Sequence, residues 1–133
     1  MNKICVIIFI INLLLLEIIF YSIPFDKIDE QKIYFGIPNK FSKVSVIDYE
    51  KAFKSLSEYE ELDTVEKGTA KYWIKVNRIT EILINTINNI AITKSYDLIV
   101  EKNYWEQIVN MKDIPYIDIT NEVINIYKQI YSK

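Results

Sequence analysis

Polar and apolar residues alternate between Lys43 and Ile47, and the pattern changes immediately afterwards. A period of two is typical of a half-buried strand, so we predict a strand over 41–48. From Tyr49 onward, apolar residues recur every three or four positions, which is the period of an amphipathic helix. Asp48 stands where a side chain can cap the first exposed amides of that helix. The strand therefore runs directly into a helix.

The helical period continues to residue 95 and weakens only around Gly68. Glycine tolerates the left-handed backbone with which many helices end, so we place a turn there. The pattern predicts a helical hairpin over 49–95, with helices of about eighteen and twenty-five residues, roughly 27 and 38 Å long. The apolar stripe of the second helix has the spacing of a helix that packs along another helix.

The last third of the chain predicts two strands within 96–111 and a helix over 119–131, which Asp118 or Thr120 can cap. The fold class is therefore α+β, with a small antiparallel sheet, a helical hairpin and a C-terminal helix. So few short strands are marginal in water, and we expect partner subunits to cover the sheet. We treat 23–40 as an extended leader, although a short edge strand near its centre is the alternative.

The first residues have the pattern of a secretory signal. Lys3 precedes an apolar run over 4–16, and the bulky residues before position 22 make a poor cleavage site. We interpret 1–22 as a signal peptide, with an uncleaved membrane anchor over 4–25 as the alternative. Glu17 would cost an anchor roughly 2 to 3 kcal/mol if it were held at depth in the bilayer.

The composition argues against several kinds of catalytic, metal and nucleic-acid-binding site. The chain has 133 residues, no histidine, a single cysteine, and a net charge of −2. Because that cysteine is Cys5, inside the apolar run, a cleaved product would have neither imidazole nor thiol for zinc ligation or nucleophile pairs. No basic stripe is present that would neutralise nucleic-acid phosphates. We expect a non-enzymatic protein with no catalytic residues, no cofactor, no metal and no nucleic-acid partner.

Three short segments resemble the Skp/OmpH periplasmic chaperones. They are Val-Ser-Val-Ile-Asp at 44–48, Tyr-Asp-Leu-Ile-Val at 96–100 and Asp-Ile-Thr-Asn-Glu-Val-Ile at 118–124. The resemblance covers about 41–56 and 79–128. It implies a periplasmic homotrimer whose strands form a common head and whose helical arms hold unfolded outer-membrane proteins, without catalysis or ATP.

The chain departs from this family in two respects. Asp48 and Tyr96 are only 48 positions apart, so the arms would be short and would enclose little volume. Skp proteins also tend to be basic, whereas this chain is slightly acidic. A domain that keeps the head as an oligomerisation platform, without chaperoning, is therefore the alternative function.

The resemblance assigns candidate residues to two sites. The client-binding arm would use Phe53, Leu56, Tyr59, Tyr72, Trp73 and Val76, although contacts between the two arm helices are the alternative role for each of them. The oligomeric head would use Val44, Val46, Leu98, Val100, Ile108 and Val109.

Overall fold

A computed structural model of the chain describes residues 18–108 and 113–131. Most of the predicted signal or anchor segment, and Val109 of the predicted head, lie outside these residues. Two short 3-10 helices, Phe25–Lys27 and Glu30–Lys32, come first. The strands and α-helices then follow in the order β1 (Ile33–Gly36), β2 (Val44–Ile47), α1 (Tyr49–Lys54), α2 (Ser57–Leu62), α3 (Ala70–Lys94), β3 (Leu98–Glu101), α4 (Lys102–Gln107), β4 (Tyr116–Asp118) and α5 (Thr120–Tyr131). This confirms the α+β class and the C-terminal helix.

The four strands form one mixed sheet in the order β1-β3-β2-β4. Strand β2 is parallel to both β3 and β4, with Val44 opposite Leu98 on one side and opposite Tyr116 on the other. Only β1 and β3 are antiparallel. The predicted antiparallel sheet is therefore wrong. The three helices between β2 and β3 give the chain enough length for a crossover connection, which parallel pairing requires.

Both faces of the sheet are covered within a single chain. On one face, Ile47 and Ile99 belong to a buried cluster, the main cluster, that includes residues of α1, α3 and α5. On the other face, Val46 and Val100 pack with Trp105 of α4 and with the segment before β1, and these residues form the second cluster. Subunits are therefore not needed to cover the sheet, contrary to the expectation from the sequence. The number of subunits itself stays a prediction.

Residues 23–40, which the sequence suggested as a leader, are an integral part of the fold. Ile23 is 3% exposed and lies in the second cluster. Strand β1 is the antiparallel edge strand that the sequence left as an alternative. Gly36 has a φ of +90°, and a Cβ at this position would lie 1.8 Å from the carbonyl oxygen of Asp97. A glycine is thus required where β1 approaches the start of β3.

The predicted second strand of 96–111 is wrong over its described part. Residues 102–107 form α4, in which Trp105 is buried and Ile108 follows three positions later. Ile108 lies just after the helix with an extended backbone, and both side chains are buried in the second cluster, against the sheet. Short apolar runs do not distinguish strand from helix. The sequence also missed β4, because its three residues are all exposed and show no alternation.

The helical region follows the prediction in its second half. Helix α3 spans 25 residues, as expected from its long apolar stripe. The first predicted helix is divided into α1 and α2, because Leu56 adopts an extended backbone. Asp48 caps α1 by accepting a hydrogen bond from the Lys51 amide at 3.0 Å. Gly68 has the expected left-handed backbone, with φ +85°, but lies just before α3.

Candidate functional site

Helix α3 is much longer than the sheet on which it packs. Its 25 residues rise about 37 Å, whereas four-residue strands span about 13 Å. All seven buried residues of α3 lie between Ile79 and Ala91. The nine residues from Ala70 to Arg78 contain no buried side chain. We call α2, the following turn and these nine residues the hairpin tip, which is a short form of the predicted arm.

Local contacts hold the two sides of the hairpin tip together. Leu62 at the end of α2 is buried in the main cluster. Glu61 forms an ion pair with Lys75 of α3, and the hydrogen bond and charge of Lys75 hold the pKa of Glu61 below its usual value. The Thr69 hydroxyl accepts a 3.2 Å hydrogen bond from the Tyr72 amide, which caps α3. The tip is thus an ordered extension of the fold.

The hairpin tip exposes two large apolar side chains. Trp73 is 55% exposed and the next residue, Ile74, is 68% exposed. The ring of Tyr72 meets the Trp73 ring edge-on, with centroids 5.4 Å apart. Tyr72 is half-buried against the main cluster, so this contact joins the indole to the core. A largely exposed indole is suited to binding another apolar group.

A row of half-buried aromatic rings leads from the sheet to the hairpin tip. Tyr34 of β1 stacks on Tyr49 of α1 at 5.1 Å, Tyr49 lies 6.1 Å from Phe53, and Phe53 meets Tyr59 of α2 edge-on at 5.8 Å. All four rings pack against the main cluster while keeping part of their surface in solvent. The row ends at Tyr59, on the α2 side of the hairpin tip.

The six predicted arm residues divide into three groups. Leu56 is 1% exposed and belongs to the main cluster, so it is structural and is not available to a client. Phe53, Tyr59, Tyr72 and Val76 are partly buried, and only Trp73 is well exposed. Ile74 was missed as a site residue, because the sequence pattern counted it within the widened apolar stripe of α3, whereas its side chain is 68% exposed. An apolar residue on the polar side of an amphipathic helix is the signal that could have identified it.

The predicted head residues lie in the interior of the chain. Relative exposure is at most 6% for all five that the structure describes, which are Val44, Val46, Leu98, Val100 and Ile108. Their side chains pack with each other and with Trp105 in the second cluster. Their burial is therefore explained by this chain alone, without a contact to another copy.

A polar cleft of about 370 Å³ opens at the carboxyl ends of β2 and β3. Tyr34 donates a 2.8 Å hydrogen bond to Glu101 there. Burial, followed by the hydrogen bond and charge of Glu101, raises the pKa of the Tyr34 hydroxyl. Asp48, which also lines the cleft, caps α1. These carboxylates thus already serve the fold, and the exposed hairpin tip is the stronger candidate site.

Across residues 18–108 and 113–131, no helix combines the length and the hydropathy needed to cross a bilayer. The same residues contain no group of three or more carboxylate or thiol side chains placed to hold a metal ion.

Comparison of the chain with protein-family models, with curated proteins and with solved structures found no match. The resemblance to the Skp/OmpH chaperones, and the trimer and periplasmic role that it implies, stay predictions from the sequence.

Proposed function

We propose that the chain is a non-catalytic holdase-type chaperone of the periplasm, whose hairpin tip binds apolar segments of unfolded outer-membrane proteins. The observation that carries this proposal is the exposure of Trp73 and Ile74 on an ordered hairpin that extends beyond the sheet. Apolar association is non-directional, so one surface of this kind accepts many sequences. This is the property that a protein binding unfolded clients needs.

The size of the surface limits how a client is held. The tip offers one exposed indole and one exposed aliphatic side chain, together with the half-buried rings of Tyr59 and Tyr72. Such a surface covers a short apolar segment and does not enclose a whole polypeptide. We therefore expect weak binding of each segment, with strong protection only when several copies bind one client.

An aggregation assay with a matched control tests this proposal. An unfolded outer-membrane β-barrel protein is diluted from urea into buffer that contains the purified full-length chain, and its turbidity is followed. The variant Ile74→Ala should reduce the protection of the client. The control Ile92→Ala removes the same kind of side chain from the same helix, where it is 71% exposed but lies away from the tip. This control should protect as well as the unchanged chain.

Equal protection by the two variants would contradict the proposal, and so would a complete lack of protection by the unchanged chain. Because both isoleucines are largely exposed, neither substitution should change the free energy of unfolding by more than about 0.5 kcal/mol. A difference between the variants therefore reports on binding.

The same exposed pair favours a second candidate function, an oligomerisation platform without chaperoning that is built on the hairpin tips instead of the predicted head. In that case the hairpin tips of several copies would cover each other's Trp73 and Ile74. Light scattering on the full-length chain separates the two functions. The platform requires that Ile74→Ala lowers the oligomer mass, whereas the chaperone requires that Ile74→Ala lowers client protection.

A further inference from the structure

An exposed apolar surface lies at the amino ends of the parallel strands, at the opposite end of the sheet from the hairpin tip. Two separate parts of the chain form it, residues 18–20 and strand β4. We call it the amino-end patch, and it consists of Ile18, Ile19, Phe20, Tyr116 and Ile117, whose exposures are 67%, 65%, 53%, 38% and 53%. A trough of about 420 Å³ runs between the two parts.

Backbone hydrogen bonds fix the place where the chain enters this patch. The Tyr21 amide donates to the Phe41 carbonyl at 2.7 Å, and the Phe41 amide donates back to the Tyr21 carbonyl at 3.0 Å. The Ile23 amide donates to the Pro38 carbonyl at 2.7 Å, and its side chain is buried. A cut at the predicted boundary after residue 22 would remove Tyr21 and both of its hydrogen bonds with Phe41. The folded domain thus begins before that boundary.

The apolar run at 4–16 is separated from Ile18 only by Glu17. No linker of polar residues therefore stands between this run and the folded domain. If the run enters a bilayer, the patch is necessarily brought to the bilayer surface. The paired hydrogen bonds between Tyr21 and Phe41 anchor the chain to the folded domain only a few residues after the run.

We infer that the apolar run is retained and that the amino-end patch lies against the surface of a phospholipid bilayer. The aromatic side chains of Phe20, Tyr21 and Tyr116 stand at or beside the patch, and aromatic rings are enriched at the membrane–water interface. The ammonium group of Lys40 lies 4.7 Å from the centre of the Phe20 ring. It thus provides a positive charge at the border of the patch, where lipid phosphates would lie.

This orientation gives the two exposed apolar surfaces different surroundings. Trp73 and Lys94 are separated by about 32 Å along the axis of α3, and the Lys94 carbonyl accepts a hydrogen bond from Lys43 at the amino end of the sheet. The hairpin tip would therefore point away from the bilayer, into the aqueous phase. The inference about the membrane does not rest on the proposed function, because it uses other residues and another assay.

Spin labels at two isoleucine positions test the inference on the full-length chain. In a Cys5→Ser background, Ile117→Cys and Ile74→Cys are labelled separately, and each protein is reconstituted into phosphatidylcholine–phosphatidylglycerol vesicles. Oxygen concentrates in lipid, whereas a nickel chelate stays in water. The label at position 117 should collide several-fold more with oxygen than with nickel, and the label at position 74 should show the opposite preference.

Two results would overturn the inference. A label at position 117 that is as accessible to nickel as the label at position 74 would show that the patch faces water. A label at position 117 protected from both reagents would show that protein covers the patch, either a second copy or the first seventeen residues. Ile19→Cys, on the other part of the patch, repeats the measurement if Ile117→Cys does not fold.

Discussion

The Tyr34 hydroxyl donates a 2.8 Å hydrogen bond to Glu101 and so joins the edge strand β1 to the end of β3. The same carboxylate oxygen accepts a 3.3 Å bond from the Tyr49 amide, at the start of α1. One carboxylate therefore connects three elements, and the phenol is half-buried. Through this bond and the stack of Tyr34 on Tyr49, the segment before β2 supports the helices that carry the hairpin tip.

We expect Tyr34→Phe to lower the free energy of unfolding by about 1 to 2 kcal/mol, because a hydrogen bond to a charged group is lost while the aromatic stack is kept. Urea unfolding of the full-length chain measures this change. Tyr131→Phe is the control, since Tyr131 is 46% exposed at the end of α5 and should change little. Equal effects of the two substitutions would show that the Glu101 bond adds no stability.

Two glycines with similar backbones provide a second comparison. Gly36 and Gly68 have φ values of +90° and +85°, but a Cβ would meet the Asp97 carbonyl oxygen only at Gly36. We expect Gly68→Ala to cost about 1 kcal/mol for the left-handed backbone, and Gly36→Ala to cost at least about 3 kcal/mol because strand β1 must also move. Thermal unfolding of both variants checks this order, and a smaller loss at Gly36 would contradict the position of β1.

Asp97 should make the stability of the domain depend on acid pH. Its side chain accepts hydrogen bonds from the Ser42 hydroxyl, the Ser42 amide and the Lys43 amide. The Ser42 hydroxyl, together with these amides and against the effect of burial, lowers the pKa of Asp97 below its ordinary value of 3.8. A lowered pKa means that the folded state holds the proton less tightly than the unfolded state does.

The contribution of Asp97 is therefore fully present above about pH 4 and is lost as the pH falls through the lowered pKa. Asp97→Asn should reduce the free energy of unfolding at pH 7 and flatten its decline in acid. Asp26→Asn is the control, because the Asp26 side chain is exposed. Its carboxylate lies 3.9 Å from the ammonium group of Lys27, and an exposed ion pair of this kind adds little stability. Urea unfolding between pH 2 and pH 7 measures both profiles, and an unchanged acid decline in Asp97→Asn would contradict this assignment.

The pattern of the sequence predicted the elements whose periodicity is long or whose cap is unambiguous. Helix α3 and the Asp48 cap are examples, because each follows from local spacing. The direction of the strands could not be predicted in the same way, since parallel pairing of β2 with β4 joins segments about seventy residues apart. The helical conformation of α4 could not be predicted either. It depends on the packing of Trp105 against the second face of the sheet, which is a tertiary contact.

Prediction of the candidate site was limited as well, because it depends on tertiary packing. The resemblance assigned Leu56 and Trp73 together to the client-binding arm, because both stand in the predicted helical hairpin. Only packing separates them, with Leu56 in the core and Trp73 in solvent.

This difference in burial predicts that truncation at Leu56 lowers mainly the stability of the domain, whereas truncation at Trp73 lowers mainly client binding. Leu56→Ala should cost about 2 to 5 kcal/mol of stability, because it leaves a cavity in the main cluster. Trp73→Ala should cost no more than about 1 kcal/mol of stability, the order of one aromatic edge contact, and should weaken client binding. Urea unfolding together with the turbidity assay measures both effects. A stable Leu56→Ala, or a strongly destabilised Trp73→Ala, would contradict the packing described above.

The fluorescence of Trp73 tests the central claim most directly, since Trp73 is exposed while Trp105 is 1% exposed. Iodide quenching of the full-length chain therefore reports mainly on the hairpin tip. We predict that a tryptophan-free unfolded β-barrel client reduces this quenching, and that Trp73→Phe abolishes the reduction. Iodide quenching that stays the same while the client is kept in solution would contradict binding at the hairpin tip.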